Sequence, residues 1–322
     1  MSSTLYGHRC VVCGQAVSDA REYGGRQYCD IHLAEFAEDV PPVWRASVLT
    51  FGLILILVVA LAIANAVLPG ELANKARFAT SVVIALLPAL TWLVLLYRTA
   101  SRAQIELSTL LPTIFVLSVL LAAAATRPLL FDLIDLDTWL VSVNARNRFL
   151  GNILIGGFFH TFVLYAIVRY TVWHTPTFTR RVHGVLFEMA AGWGYASTLN
   201  LLFVLDHGGL SLLNGGLKLI AQLCAYLAPS LILGYYLGRN RFEDMPFHYL
   251  SMGLVLSAAI NGLMLYAGTE LNNIRLGVDQ DGFSPWPGLV FSIVALLTAF
   301  GAIYGLLTRH NNLTKARLEP KT

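Results

Sequence analysis

Apolar runs of about twenty residues recur along most of this chain, the length at which an α-helix crosses the hydrocarbon core of a bilayer. They fall at residues 46–68, 77–97, 106–125, 150–173, 184–205, 217–237, 247–268 and 287–307. Inside a membrane no water hydrogen-bonds the backbone, whereas a helix satisfies its own N–H and C=O groups. The pattern therefore predicts an all-α polytopic membrane protein of about eight transmembrane helices. Composition agrees, with 56% of residues hydrophobic and 13% charged, against roughly 25% charged in soluble domains. So few charges cannot cover a water-facing surface, and membrane lipid must be the surrounding medium. No basic tract rich in aromatics is present, which argues against a nucleic-acid partner. The first apolar run follows a polar stretch and lacks a small-residue cleavage site, so it reads as a retained helix rather than a secretory signal. A shorter stretch, 128–142, carries Asp132, Asp135 and Asp137 and is expected at the membrane interface.

The polar stretch, residues 1–36, holds three of the four cysteines, as Cys10-x2-Cys13 and then, after fifteen residues, Cys29-x2-His32. Two paired-ligand turns at this separation suit one tetrahedral Zn2+ with Cys3His ligation. Four protein ligands leave no open position for a substrate, so the zinc would be structural. The segment is too short to bury a core, and metal binding would supply its folding energy. Gly14, Gly24 and Gly25 would provide the turns. The alternative is a disulfide between two of the cysteines, which the odd count and the presence of His32 disfavour. The ending "GRQYCDIH" resembles half of a LIM-type or treble-clef finger, which implies protein contacts, here with a cytoplasmic partner. Thiolate ligands favour a reducing compartment.

The remaining organisation is a linker, 37–45, a helical bundle, 46–307, and a tail, 308–322. With the N-terminus inside, the inner loops hold Arg45, Arg98, Arg102, Arg180, Arg181, Arg239, Arg241, Arg309 and Lys315. The outer loops hold Lys75, Arg77, Arg127, Arg146, Arg148, Lys218 and Arg275. This bias predicts a multi-pass protein of the cytoplasmic membrane with both termini cytoplasmic. Glycines at 156–157, 192, 194 and 215–216 would allow helices to pack closely.

Polar residues at membrane depth are costly and raise functional hypotheses. His160, Asn200 and Asn261 lie within spans, and each either serves a site or hydrogen-bonds a neighbouring helix. His183 and Glu188 lie near the start of the fifth span and are expected to reach back toward water. Cys224 reads as a small apolar filler. The chain contains no H-E-x-x-H and no G-x-S-x-G, so no enzyme follows from motifs.

From about Leu86 to Tyr266 the chain resembles the PrsW family of intramembrane metalloproteases. "LLPALTWLVLLYR" (86–98) looks like the family's opening hairpin. "HGVLFEMAAGWGYASTLNLLFVL" (183–205) looks like its glycine-rich segment. "LILGYYLG" (231–238) and "GLVLSAAINGLMLY" (253–266) look like its later helices. The resemblance implies the family fold, with a Glu-Glu-x-x-Lys motif, a Glu-Asn pair and two helix histidines carrying the chemistry. At the positions matching these, the chain has His160 and Thr161 for the glutamates and Leu164 for the lysine. It has Leu199-Asn200 for the Glu-Asn pair, and Tyr226 and Asn261 for the histidines. No carboxylate remains to act as base. The expectation is a PrsW-like protein that is proteolytically inactive or strongly diverged, with a bundle that binds a membrane helix or lipid. Two alternatives stay open. One is an active metalloprotease with relocated ligands drawn from His160, His183, Glu188 and Asn261, and the other is a small-molecule transporter or membrane sensor.

Overall fold

The computed structural model describes residues 9–16, 21–37, 41–67, 73–99, 105–272 and 284–318. Arg102, Arg275 and residues 38–40 of the expected linker lie outside them. At the N-terminus, β1 (Arg21–Tyr23) and β2 (Arg26–Tyr28) pair as an antiparallel hairpin, and α1 (Asp30–Ala37) follows. Everything after this knuckle is helical. The long elements are α2 (Pro41–Val67), α3 (Asn74–Thr99) and α4 (Ile105–Leu121), which continues as π-helical turns over Ala122–Leu133. After α5 (Leu136–Ser142) come α6 (Ala145–Gly151), further π-helical turns over Asn152–Gly157, and α7 (Phe158–Thr171). The chain then forms α8 (Arg181–Asp206), α9 (Leu212–Phe242), α10 (His248–Asn272) and α11 (Trp286–Leu318). The protein is an all-α polytopic membrane protein with a small cysteine-bearing N-terminal module.

Seven of these helical runs are long and apolar enough to cross a membrane, and α8 is not among them. Its apolar content is diluted by His183, Glu188, Ser197, Thr198 and Asn200. Geometry nevertheless makes it an eighth crossing among the described residues. Arg181, at the start of α8, pairs with Glu243, just past the end of α9, at 2.7 Å. α9 is itself a span, so α8 must leave from the end of the bundle to which α9 returns. Its 26 residues extend about 39 Å, enough to span. A crossing helix need not be strongly apolar when other helices shield it from lipid, and α8 is buried almost along its whole length, packed against α9, α4, α3 and α7.

α8 and α9 form the centre of the bundle. In the apolar window of α9, 83% of residues are buried, against 22% in α11 at the periphery. Outer helices turn Leu55, Ile56, Val59, Leu90, Val94, Val290 and Val294 outward, as lipid contact requires. The two central helices approach closely because Gly184 faces Gly234 and Gly238. A Cβ on Gly184 would stand 2.5 Å from the Gly234 carbonyl oxygen.

The stretch 128–142 differs from expectation. Its first part continues α4 as π-helical turns instead of lying separately at the interface, and the break comes at Asp135, whose φ of 52° is left-handed. Pro128, which has no N–H to give to a helical ladder, lies within these wider turns.

Candidate functional site

Both π-helical stretches border one cavity of about 680 Å³ in the half of the bundle remote from the knuckle. Such turns are frequent where helices shape functional sites. Thr126, Leu130 and Asp132 come from the first stretch and Asn152 and Gly156 from the second. The mouth is framed by two ion pairs, Arg127–Asp206 at 2.9 Å and Arg148–Glu270 at 2.6 Å. Lys218 stands beside it, 3.9 Å from the Phe203 ring centroid.

His160 forms the floor with two tyrosines. Its ring centroid lies 4.4 Å from that of Tyr195 on α8 and 4.6 Å from that of Tyr226 on α9, and the two tyrosine rings are 5.5 Å apart. Edge-to-face contacts at these spacings are favourable for aromatic rings. His160 is 1% exposed, and neither ring nitrogen has a hydrogen-bond partner. Leu199 lies on the same wall. Three of the positions singled out by resemblance, His160, Leu199 and Tyr226, are thus brought together around one cavity.

The other polar residues are spent elsewhere. Asn200 donates through Nδ2 to the Leu219 carbonyl at 2.9 Å, and Asn261 donates to the Ala225 carbonyl at 3.0 Å. Each ties its helix to α9, the bland alternative for both. His183 and Glu188 do not reach water, being 4% and 0% exposed. Packing of α8 at the bundle centre closes off the route that was expected for them. The His183 Nδ1 lies 3.0 Å from the Thr177 carbonyl, while both Glu188 oxygens are without a partner. Among the described residues, the knuckle is where three or more His, Cys, Asp or Glu ligand atoms come together. Cys224 is a buried free thiol, as a filler would be.

The knuckle does assemble a ligand group. Residues 9–16 form a turn closed by an Arg9–Ala16 bridge and by Gly14, whose φ of 71° suits glycine. That turn carries Cys10 and Cys13, while Cys29 and His32 sit at the start of α1. The ligand atoms of all four lie within 4.8 Å of one another. His32 turns Nδ1 inward, 3.0 Å from Cys29 Sγ and 3.6 Å from Cys10 Sγ. Burial pushes the Cys10 thiol up, but backbone N–H groups of Cys13, Cys29 and Val12 outweigh it and bring it to about 6. The group could hold a metal ion.

The knuckle is also fixed to the bundle, which its sequence did not announce. Gly24 and Gly25 shape the hairpin turn rather than approaching the ligand group. A Cβ on Gly25 would stand 2.7 Å from the Asp244 Cβ, and the Asp244 N–H donates to the Gly24 carbonyl at 2.6 Å. Tyr28, fully buried, donates to the Phe242 carbonyl, and Arg26 donates to the Asn240 carbonyl at 3.3 Å. Beneath the hairpin, Glu243 is held by Arg181 and by Arg239.

Comparison with known proteins gives two partial likenesses. The chain is 29% identical over 98 residues to Protease PrsW of Halalkalibacterium halodurans, covering 30% of this chain and 44% of that protein. It is 22% identical over 127 residues to Protease PrsW of Bacillus subtilis, covering 39% and 57% respectively. The likenesses support a PrsW-like membrane protein. The chain spans about half the length of the curated relatives it matches. No family model matches the chain, and no solved structure matches it. Sequence reasoning missed Tyr195 and the mouth ion pairs. An aromatic inside a span reads as packing, and pairs such as Arg127–Asp206 join residues far apart in the chain.

Proposed function

We propose that this PrsW-like protein of the cytoplasmic membrane binds a membrane helix or lipid in its cavity and does not itself cut peptide bonds. The observation that carries this reading is the cavity floor. The positions where the resemblance puts catalytic groups meet there as imidazole, alkyl and phenol, in His160, Leu199 and Tyr226. The carboxylates lining the cavity, Asp132 and Asp206, belong to its mouth, and Asp206 is tied to Arg127. Without a base beside the attacking water, a hydrolase commonly loses about 100- to 10,000-fold in rate.

The knuckle would hold one structural Zn2+ through Cys10, Cys13, Cys29 and His32. When bound, the ion closes its own coordination sphere and contributes folding energy. With the hairpin against the bundle, the first turn of α1, where Ile31 is 70% exposed, is the face offered to a cytoplasmic partner. Both termini would be cytoplasmic, on the bias of basic residues.

The test uses full-length protein in bilayers with a fluorescently tagged transmembrane-helix reporter. The reporter should stay intact, and its co-purification, or that of lipid, should drop when Leu202→Trp fills the cavity. Chelator-sensitive cleavage that survives Cys13→Ser and disappears in His160→Ala or Glu188→Gln would overturn the reading in favour of an active protease.

A further inference from the structure

We infer that the knuckle end of the bundle binds a phosphate group between Arg26, Arg169 and Arg241. The three side chains come from three elements, the β2 strand, the end of α7 and the end of α9. Trp173 lies under two of them. The Arg169 guanidinium carbon is 4.3 Å from its ring centroid and that of Arg241 is 6.0 Å away. Arg241 lies within electrostatic reach of both Arg26 and Arg169.

Three guanidinium groups this close repel one another, and an arrangement of that kind calls for an anion. Among the described residues, protein acids do not supply it. Glu243 is engaged by Arg181 and Arg239, and Asp244 makes no ion pair among the described residues. Each of the three arginines also keeps a buried nitrogen without a hydrogen-bond partner: Arg26 Nε, Arg169 Nη1 and Arg241 Nε. Buried unsatisfied donors need a reason, and a shared anion would supply one for all three. Guanidinium groups match phosphate oxygens through paired hydrogen bonds, and Trp173 holds two of the planes in place.

The surroundings put the cluster at the level of lipid headgroups. Tyr170, next to Arg169, is 83% exposed, and Phe247, in the turn after α9, is 96% exposed. Aromatic side chains projecting outward at a bundle end are typical of the membrane–water boundary. Basic pockets at that depth attract anionic headgroups. A soluble phosphate offers the same chemistry, so the experiment separates the two sources. The third arginine arrives with the knuckle hairpin, which makes the site depend on the folded knuckle.

Full-length protein is placed in nanodiscs of phosphatidylcholine with or without phosphatidylglycerol, and separately in neutral detergent with inorganic phosphate or an equal ionic strength of chloride. Thermal midpoint and lipids retained in native mass spectrometry are read. A headgroup ligand raises the midpoint and is retained in the phosphatidylglycerol arm alone, and a soluble ligand gives the rise in the phosphate arm. Either result supports the site, provided that Arg169→Gln with Arg241→Gln weakens the response by about tenfold or more. Arg127→Gln at the opposite end should leave it unchanged. Should the double variant fail to fold, Arg169→Gln and Arg241→Gln are read singly, since each leaves the hairpin's bonds to the bundle in place. Equal behaviour in all arms, or a response undiminished in the arginine variants, would overturn the proposal.

Discussion

The Thr314 and Tyr23 hydroxyls are hydrogen-bonded at 2.8 Å, across 291 residues of chain. The bond joins the end of α11 to the knuckle hairpin and puts both at one end of the bundle. A chain that starts and finishes at one end crosses an even number of times, which agrees with α8 as a crossing. The basic residues sort with it. Arg181, Arg239 and Arg241 lie at the knuckle end, and Arg127, Arg148 and Lys218 at the cavity end.

The first prediction concerns sidedness. Single cysteines introduced at Lys315 and at Gln15, the latter read out by a tag, should both be labelled from the cytoplasmic face of inverted vesicles. Labelling of the two from opposite faces would contradict the Thr314–Tyr23 contact. Labelling of both from the outer face would reverse the orientation but keep the fold.

Metal loss should be felt by the bundle. Cys13→Ser is expected to remove close to one zinc per chain by elemental analysis. Because the hairpin covers the Arg181–Glu243 pair, it should also lower the thermal midpoint of the helical transition. Exposing or unpairing a buried ion pair by removing a partner costs about 3–5 kcal/mol, so Glu243→Gln should destabilise the protein while keeping its zinc. An unchanged midpoint in Cys13→Ser would show that the knuckle hangs free.

The same carboxylate sets an acid limit. Burial raises the Glu243 pKa, but the Arg239 hydrogen bond and the charges of Arg181 and Arg239 outweigh it, leaving it below the ordinary 4.5. A group depressed on folding stabilises above its unfolded pKa, and that contribution is lost as pH falls through the folded value. Stability from this pair should therefore hold from pH 7 down to about 5 and decline below about 4.5. In apo protein held in chelator, where metal release cannot contribute, Glu243→Gln should flatten that decline.

Asn261→Leu should separate packing from function. It removes the 3.0 Å bond to the Ala225 carbonyl, and interhelical bonds of this type are worth about 0.6 to 2 kcal/mol. A modest fall in thermal midpoint with ligand retention intact is expected. A much larger loss of retention than of stability would give Asn261 a direct part in binding.

Much of this was written in the chain itself. Runs of twenty apolar residues determine that it enters a membrane as helices, because no other segment satisfies its backbone in lipid. The spacing of Cys10, Cys13, Cys29 and His32 determined that a four-ligand group forms, because two short turns are local geometry. Tertiary structure alone decided the rest. The resemblance had marked His160, Leu199 and Tyr226 separately, and helix packing set them around one cavity beside Tyr195, which no pattern had marked. Glu188 and His183 had a short path to water until α8 became the central helix. Nor could any local pattern show that Arg169 and Arg241 meet over Trp173, or that Tyr23 reaches Thr314. Those contacts depend on how helix ends line up, which is set by close approaches such as Gly184 against Gly234, summed over the whole bundle.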